Sequence, residues 1–242
     1  MKIGLAQTRP TKGDISINLQ KHQLFIKQGI KNGLDAIFFS ELSITGYEPT
    51  LARKLAFIPE DRRFDEIQNL TAKYGIIVGY GAPIANGTDA SISMILHQAE
   101  KKPSAYIKEY LHEDEFPFFV GGKNEFQTVG RDPKIGLAIC YELTVTQHRQ
   151  KSLESGADIY LASVAKTVSG AERSGGILSK VAKENNIITM MVNAVGPCDN
   201  FVCGGMSAIW NQEGELIGQL ESEEEAILTI DTANLQTSII QP

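Results

Sequence analysis

The chain has 242 residues, 42% hydrophobic and 21% charged, which suits one large core near the size limit of a single domain. A formal net charge of −6 with no basic stripe argues against nucleic acid as a partner, and no apolar run approaches the ~20 residues that cross a bilayer. The amino-terminal apolar run is too short for a signal peptide, and three cysteines form no disulfide framework, so a cytoplasmic, reducing setting is expected.

Residues 3–8 read as a buried strand. Asp14 can cap the helix that follows, because its carboxylate accepts from free first-turn amides. Ile15, Leu19, His22, Ile26 and Ile30 then recur at helical spacing until Asn32-Gly33 stops the run. Residues 36–39 are a second short buried strand, ending in Ser40-Glu41. Phe64, Ile67, Leu70 and Tyr74 mark a second amphipathic helix, and 76–80 a third strand. Residues 91–97 and 104–108 form antiparallel neighbours joined by a polar turn. Residues 134–140 make a strand at the centre of the fold, followed by helix 144–154, strand 158–163, helix 171–185 and strand 187–193. The tail changes character: 206–210, 215–220 and 226–231 read as a strand meander with a turn at Glu213-Gly214. The acidic run 222–225 reads as a solvated turn. Alternating strands and helices followed by hairpins predict an α/β fold with mixed sheets, in one domain over residues 1–242.

Three reactive residues share one feature. Glu41, Lys108 and Cys140 each close a strand-like apolar run. Ligands of α/β sheets bind outside the carboxyl ends of strands. If those strand ends meet, an acid, an amine and a thiol form one group with interacting ionisations. The thiol can attack a carbonyl or nitrile carbon, the carboxylate can move its proton, and the ammonium can neutralise an oxyanion. The backbone amide of Tyr141 is a natural second oxyanion donor.

Cys198 and Cys203 lack the further ligands of a tetrahedral zinc site and read as loop or core thiols. The scattered histidines (His22, His97, His112, His148) give no local cysteine–histidine pattern. Neither Gly79-Tyr80-Gly81 nor Gly204-Gly205 has the spacing of a phosphate loop.

The whole chain resembles the nitrilase superfamily of carbon–nitrogen hydrolases. Phe39-Ser40-Glu41-Leu42-Ser43-Ile44-Thr45-Gly46-Tyr47 is similar to its glutamate motif. Tyr106-Ile107-Lys108-Glu109-Tyr110-Leu111, with Glu115 and Gly121 behind it, is similar to its lysine motif. Gly136-Leu137-Ala138-Ile139-Cys140-Tyr141-Glu142 is similar to its cysteine motif, and Glu184-Asn185, Asn193-Ala194-Val195-Gly196 and Gly205-Met206-Ser207 resemble later signatures. The resemblance implies an αββα sandwich of two mixed β-sheets flanked by helices, commonly paired as a homodimer, with no metal or organic cofactor. It implies Glu41 as general base, Lys108 as oxyanion-stabilising cation, Cys140 as nucleophile and Glu115 as a second glutamate. Tyr47, Tyr141 and Glu142 are candidates for contact with a small amide or nitrile substrate, although Tyr47 equally suits core packing and Glu142 a helix cap. The chain departs from the family after the cysteine, with Glu142-Leu143-Thr144-Val145 where Asp and Arg-Phe-Pro are common, and carries Tyr110 where a histidine is usual. The implied activity is a thiol amidohydrolase acting on a small non-peptide C–N bond, first on ω-amides. Nitriles, carbamoyl amines and acyl transfer lie within the same resemblance, and a binding protein with a retained pseudo-active site is the rival.

Overall fold

The structure is a computed structural model that describes residues 1–124, 128–130 and 132–241. The strands are β1 (Lys2–Gln7), β2 (Ala36–Phe39), β3 (Ile77–Asn86), β4 (Asp89–His97), β5 (Ser104–Ile107), β6 (Thr128–Val129), β7 (Ile135–Ile139), β8 (Ile159–Ser163), β9 (Ile188–Val192), β10 (Val195–Cys198), β11 (Phe201–Gly204), β12 (Ala208–Trp210), β13 (Leu216–Gln219), β14 (Ala226–Asp231) and β15 (Gln236–Ile240). The α-helices are α1 (Ile15–Lys31), α2 (Ala52–Leu55), α3 (Asp65–Tyr74), α4 (Thr146–Glu154) and α5 (Val168–Asn185).

Two mixed sheets carry the fold. One has the strand order β15-β14-β1-β2-β3-β4-β5, the other β13-β12-β9-β8-β7-β6, and β10–β11 is a separate hairpin. The strands β1-β2-β3 and β7-β8-β9 run parallel within their sheets. Side chains alternate along each strand, and here both faces are buried, so the strands read as continuous apolar runs. In β2, Phe38 points into the core between the sheets, with Leu137, Leu161 and Met190 of the second sheet. Its neighbours Ile37 and Phe39 point the other way, onto Phe25 and Ile26 of α1 and Ile67 of α3. On the far side, Leu178 and Val181 of α5 cover Ala138, Tyr160 and Met191. The layers are therefore helix, sheet, sheet, helix, the sandwich that the motifs implied.

Local chemistry sets the helix ends. Asp14 Oδ1 accepts from Ile17 N at 3.0 Å, the cap expected for α1. Helix α5 begins at Val168, three residues before the expected start, because the Thr167 hydroxyl accepts from Gly170 N at 3.2 Å and caps a weak helical stretch. The helix expected from 144 is a 3-10 turn over Cys140–Thr144 followed by α4.

The tail is not one meander. Strand β12 lies beside β9 and pairs with β13, whereas β14 crosses to the other sheet and pairs antiparallel with β1. The acidic run guides that crossing. Gln7 Nε2 donates to the carbonyls of Glu221 and Glu224, both at 2.8 Å, and Glu225 accepts from Arg9 N and Lys21 Nζ. Strand β7 is one in from an edge, capped by β6. The β10–β11 hairpin and the exposed edge strand β15 went unread because neither shows a clean apolar alternation.

Candidate active site

The three strand ends meet across the two sheets. Glu41 follows β2 and Lys108 follows β5 in the first sheet; Cys140 follows β7 in the second. Ser163, at the end of β8, donates from its hydroxyl to the Phe39 carbonyl at 3.0 Å. Ser163 is also the register partner of Ile139, the residue before Cys140. One hydrogen bond thus sets the turn that carries Glu41 against the turn that carries Cys140.

Each turn is held by its surroundings. The Glu41 turn lies directly on β3 at Gly81, where an added Cβ would stand 2.1 Å from Leu42 N and 2.5 Å from the Ser40 carbonyl. Only glycine permits that approach. Lys108 is fixed by its own amide, which donates to the Ile92 carbonyl at 2.9 Å, and by its carbonyl, which accepts from Gly122 N at 3.0 Å. Cys140 has φ +47°, a left-handed value for a non-glycine residue. Such a conformation costs on the order of 1–2 kcal/mol and must be imposed by its neighbours.

Glu142 imposes it. Its Oε2 accepts from Ile139 N at 2.8 Å and from the Tyr106 hydroxyl at 3.0 Å, and its Oε1 accepts from Glu109 N at 2.6 Å. The carboxylate therefore links the cysteine turn to the lysine loop. Burial pushes the Glu142 carboxyl up to about 7, against the pull of the Ile139 and Glu109 amides. Its side chain sits behind the turn and does not line the cavity, so direct substrate contact does not fit it.

Lys108 is fully buried. Its Nζ lies 2.8 Å from Glu41 Oε1 and 2.6 Å from Glu115 Oε1. Glu115 also accepts from the Tyr47 hydroxyl at 3.1 Å and, through Oε2, from His112 N at 2.8 Å. Burial alone would lower the lysine; Glu41, Cys140 and Glu115 outweigh it and hold the ammonium charged. Burial pushes the Glu41 carboxyl up while Lys108 opposes it. The second oxygen, Oε2, has no hydrogen-bond partner among the described residues, yet the Cys140 thiol is near enough to favour its charged form. The thiol is pushed up to about 11, by burial first and by Glu41 second, with Lys166 and Lys108 pulling against them.

The half-buried Cys140 opens onto a cavity of about 160 Å³, lined also by Tyr47, Glu115, Tyr141, Lys166 and Phe201. Tyr47 packs its ring 5.8 Å from that of Phe201 on the β10–β11 hairpin, and Tyr141 stands edge-on to His112 at 5.3 Å. Both tyrosines line the cavity. Lys166 and Phe201 were missed. Phe201 gave no signal, since its hairpin was unread; Lys166 obeys the rule that picked out the other three, standing just beyond strand β8. Cys198 and Cys203 sit across their hairpin with sulfurs 2.6 Å apart and both buried. Among the described residues no cluster of His, Cys, Asp and Glu could hold a metal ion, and no helix is long and apolar enough to cross a membrane.

The chain is similar to several known proteins. The amidase from Nesterenkonia sp. AN1 has a similar fold, with a TM-score of 0.86 at 21% identity over 96% of this chain and 92% of that one. The glutamine-dependent NAD(+) synthetase of Thermotoga maritima is 27% identical across this chain, which spans only 44% of that protein. The Staphylococcus aureus protein described as hydrolase in agr operon is 24% identical over 96% of this chain and 90% of its own length. The family model for Carbon-nitrogen hydrolase matches residues 2–239. The chain belongs to the carbon–nitrogen hydrolase family.

Proposed function

We propose that the protein is a thiol amidohydrolase that cleaves a small non-peptide amide through a Cys140 thioester. The observation that carries this is the cluster of Glu41, Lys108 and Cys140, with Cys140 opening onto a cavity. Structures of the Nesterenkonia amidase carry acrylamide or an acetamide moiety joined to its active-site cysteine, which supports a nucleophilic role for Cys140 here.

The residues divide the work as follows. Glu41 Oε2, the oxygen without a partner, takes the thiol proton as sulfur attacks the carbonyl carbon. The charge that develops on the carbonyl oxygen needs donors. A lysine ammonium has three N–H bonds, and here Glu41 and Glu115 occupy two, which leaves one for the oxyanion. The Tyr141 amide is the second donor. Glu41 then returns the proton to the leaving nitrogen, ammonia departs, and the acyl group remains on sulfur. Water attacks the thioester, Glu41 takes a water proton, and the acid leaves as the thiol regains its hydrogen. Glu115 keeps Lys108 aimed throughout, and Tyr47 keeps Glu115 in place.

Short ω-amides are the first class expected, with nitriles and carbamoyl amines open to the same attack. Under this proposal the protein works in the cytoplasm and pairs as a homodimer; a stable monomer in sedimentation would contradict the pairing. Ammonia release across a panel of small amides and nitriles tests the chemistry. Wild type should turn over at least one class, and Cys140→Ala should abolish it. Undiminished release by that variant would remove Cys140 from the reaction.

A further inference from the structure

The cavity holds a second cation that the proposed reaction does not use. Lys166 lies on the loop between β8 and α5 and lines the same small cavity as Cys140. Its ammonium has no carboxylate within 4.0 Å among the described residues. The nearby acids are otherwise engaged. Glu41 and Glu115 hold Lys108, and the exposed Asp114 meets His112 Nδ1 at 2.7 Å.

The backbone of Lys166 is fixed. Its amide donates to Asn193 Oδ1, and its carbonyl accepts from Asn193 Nδ2, both at 2.9 Å. Gly204 N donates to the same carbonyl at 2.8 Å. Asn193 is fully buried and is itself set by Ser207 Oγ, which accepts from its amide at 3.0 Å. A half-buried lysine on so firm a backbone lines the cavity with its side chain. The thiol senses that charge, since Lys166 is the foremost of the groups that pull the Cys140 ionisation down.

A half-buried ammonium without a counter-ion, beside a nucleophile, is a receptor for an anion on the substrate. We propose that Lys166 binds a carboxylate on the acyl part of the substrate and so sets specificity. The substrate is then the monoamide of a short dicarboxylic acid, its amide carbon at Cys140 and its carboxylate at Lys166. The cavity of about 160 Å³ limits the acyl chain to a few carbons. A carboxylate on the acyl part, rather than on the leaving group, keeps Lys166 paired through the thioester stage as well. This inference rests on the amidohydrolase reading for its substrate, but the anion subsite itself does not.

Two measurements test it. In the first, kcat/KM is compared for succinamate and glutaramate against butyramide and pentanamide, neutral amides of matched length. Wild type should favour the charged amides by about tenfold or more, the ratio given by ~1.4 kcal/mol. Lys166→Met should collapse that ratio towards one, and Lys166→Arg should restore part of it. The second needs no turnover: glutarate should slow iodoacetamide labelling of Cys140 in wild type, and about tenfold more glutarate should be needed in Lys166→Met. If no amide reacts but glutarate still protects through Lys166, the amidohydrolase reading falls and the carboxylate subsite stands. A Lys166→Met protein that keeps the substrate ratio, or that glutarate protects as well as wild type, overturns the proposal.

Discussion

The Ser163 hydroxyl donates to the Phe39 carbonyl at 3.0 Å, and this bond ties the sheet carrying Glu41 to the sheet carrying Cys140. Removing it leaves a buried carbonyl without that donor. Ser163→Ala should lower stability by about 1–3 kcal/mol in urea unfolding. It should lower kcat/KM on the best amide by more than a comparable loss elsewhere, because the base and the thiol lose their common reference. Equal activity in the variant would show that packing alone sets their separation.

Gly81 makes a sharper test of position. An added Cβ meets Leu42 N at 2.1 Å and the Ser40 carbonyl at 2.5 Å, so the Glu41 turn must move. A displacement of about 1 Å in a reacting group can cost on the order of 10²-fold in rate. Gly81→Ala should show that loss in kcat/KM while Gly87→Ala, in open space in the turn between β3 and β4, leaves rate unaffected. Gly87 has φ +62°, so a modest loss of stability is expected there.

Lys108 is held by two carboxylates with no water-exposed surface to relieve them. Lys108→Met strands Glu41 and Glu115 near one another without their cation. The expected cost is about 3–5 kcal/mol of stability, read from chemical denaturation. Loss of the oxyanion donor adds about 10²–10³-fold in kcat. Adding Glu115→Gln to that variant removes one uncompensated charge and should recover part of the stability but not the rate.

Three histidines set the acid limit. His22, His97 and His148 are each pushed from 6.5 down to about 4 by burial. A histidine with a lowered folded value binds fewer protons folded than unfolded between pH 4 and 6.5. Unfolding takes up protons there, so the histidine contribution is full above about pH 6.5 and is lost as pH falls towards 4. Glu142 works the other way. Its carboxyl, raised from 4.5 to about 7, keeps a proton when folded, and its contribution is lost as pH rises through that window. Nitrogen NMR at pH 5.5 should find all three imidazoles neutral. His97→Gln, which can keep bonds to Tyr80 and Gln68, should lose less stability on acidification than wild type. A charged His97 at pH 5.5 would contradict this account.

Much of the site was legible because its chemistry is written at strand ends. An apolar run that stops at a glutamate, a lysine or a cysteine marks an edge of the sheet, and Glu41, Lys108 and Cys140 all stand there. The α/β class with mixed sheets was legible from the same runs, since strands buried on both faces can be apolar at every position, whereas the αββα layering came from the family resemblance. The long-range links were not legible. Nothing local in Ser163 names Phe39 as its partner, and nothing in Gln7 says that its amide will steer β14 back to β1. For Glu142 the sequence leaves both substrate contact and a helix cap open, and the amides of Ile139 and Glu109 draw it behind the turn. Lys166 stands three residues beyond the end of β8 rather than directly on it, and its meaning comes from the cavity it shares with Cys140.

The covalent step can be observed most directly by intact-protein mass spectrometry on samples quenched in acid during turnover of the best amide. Wild type should carry the acyl group as added mass, and peptide mapping should place it on Cys140. Glu41→Gln should slow its appearance, and Cys140→Ser or Cys140→Ala should show no thioester. Steady release of ammonia with no adduct at Cys140, and with full activity in Cys140→Ala, would contradict the account.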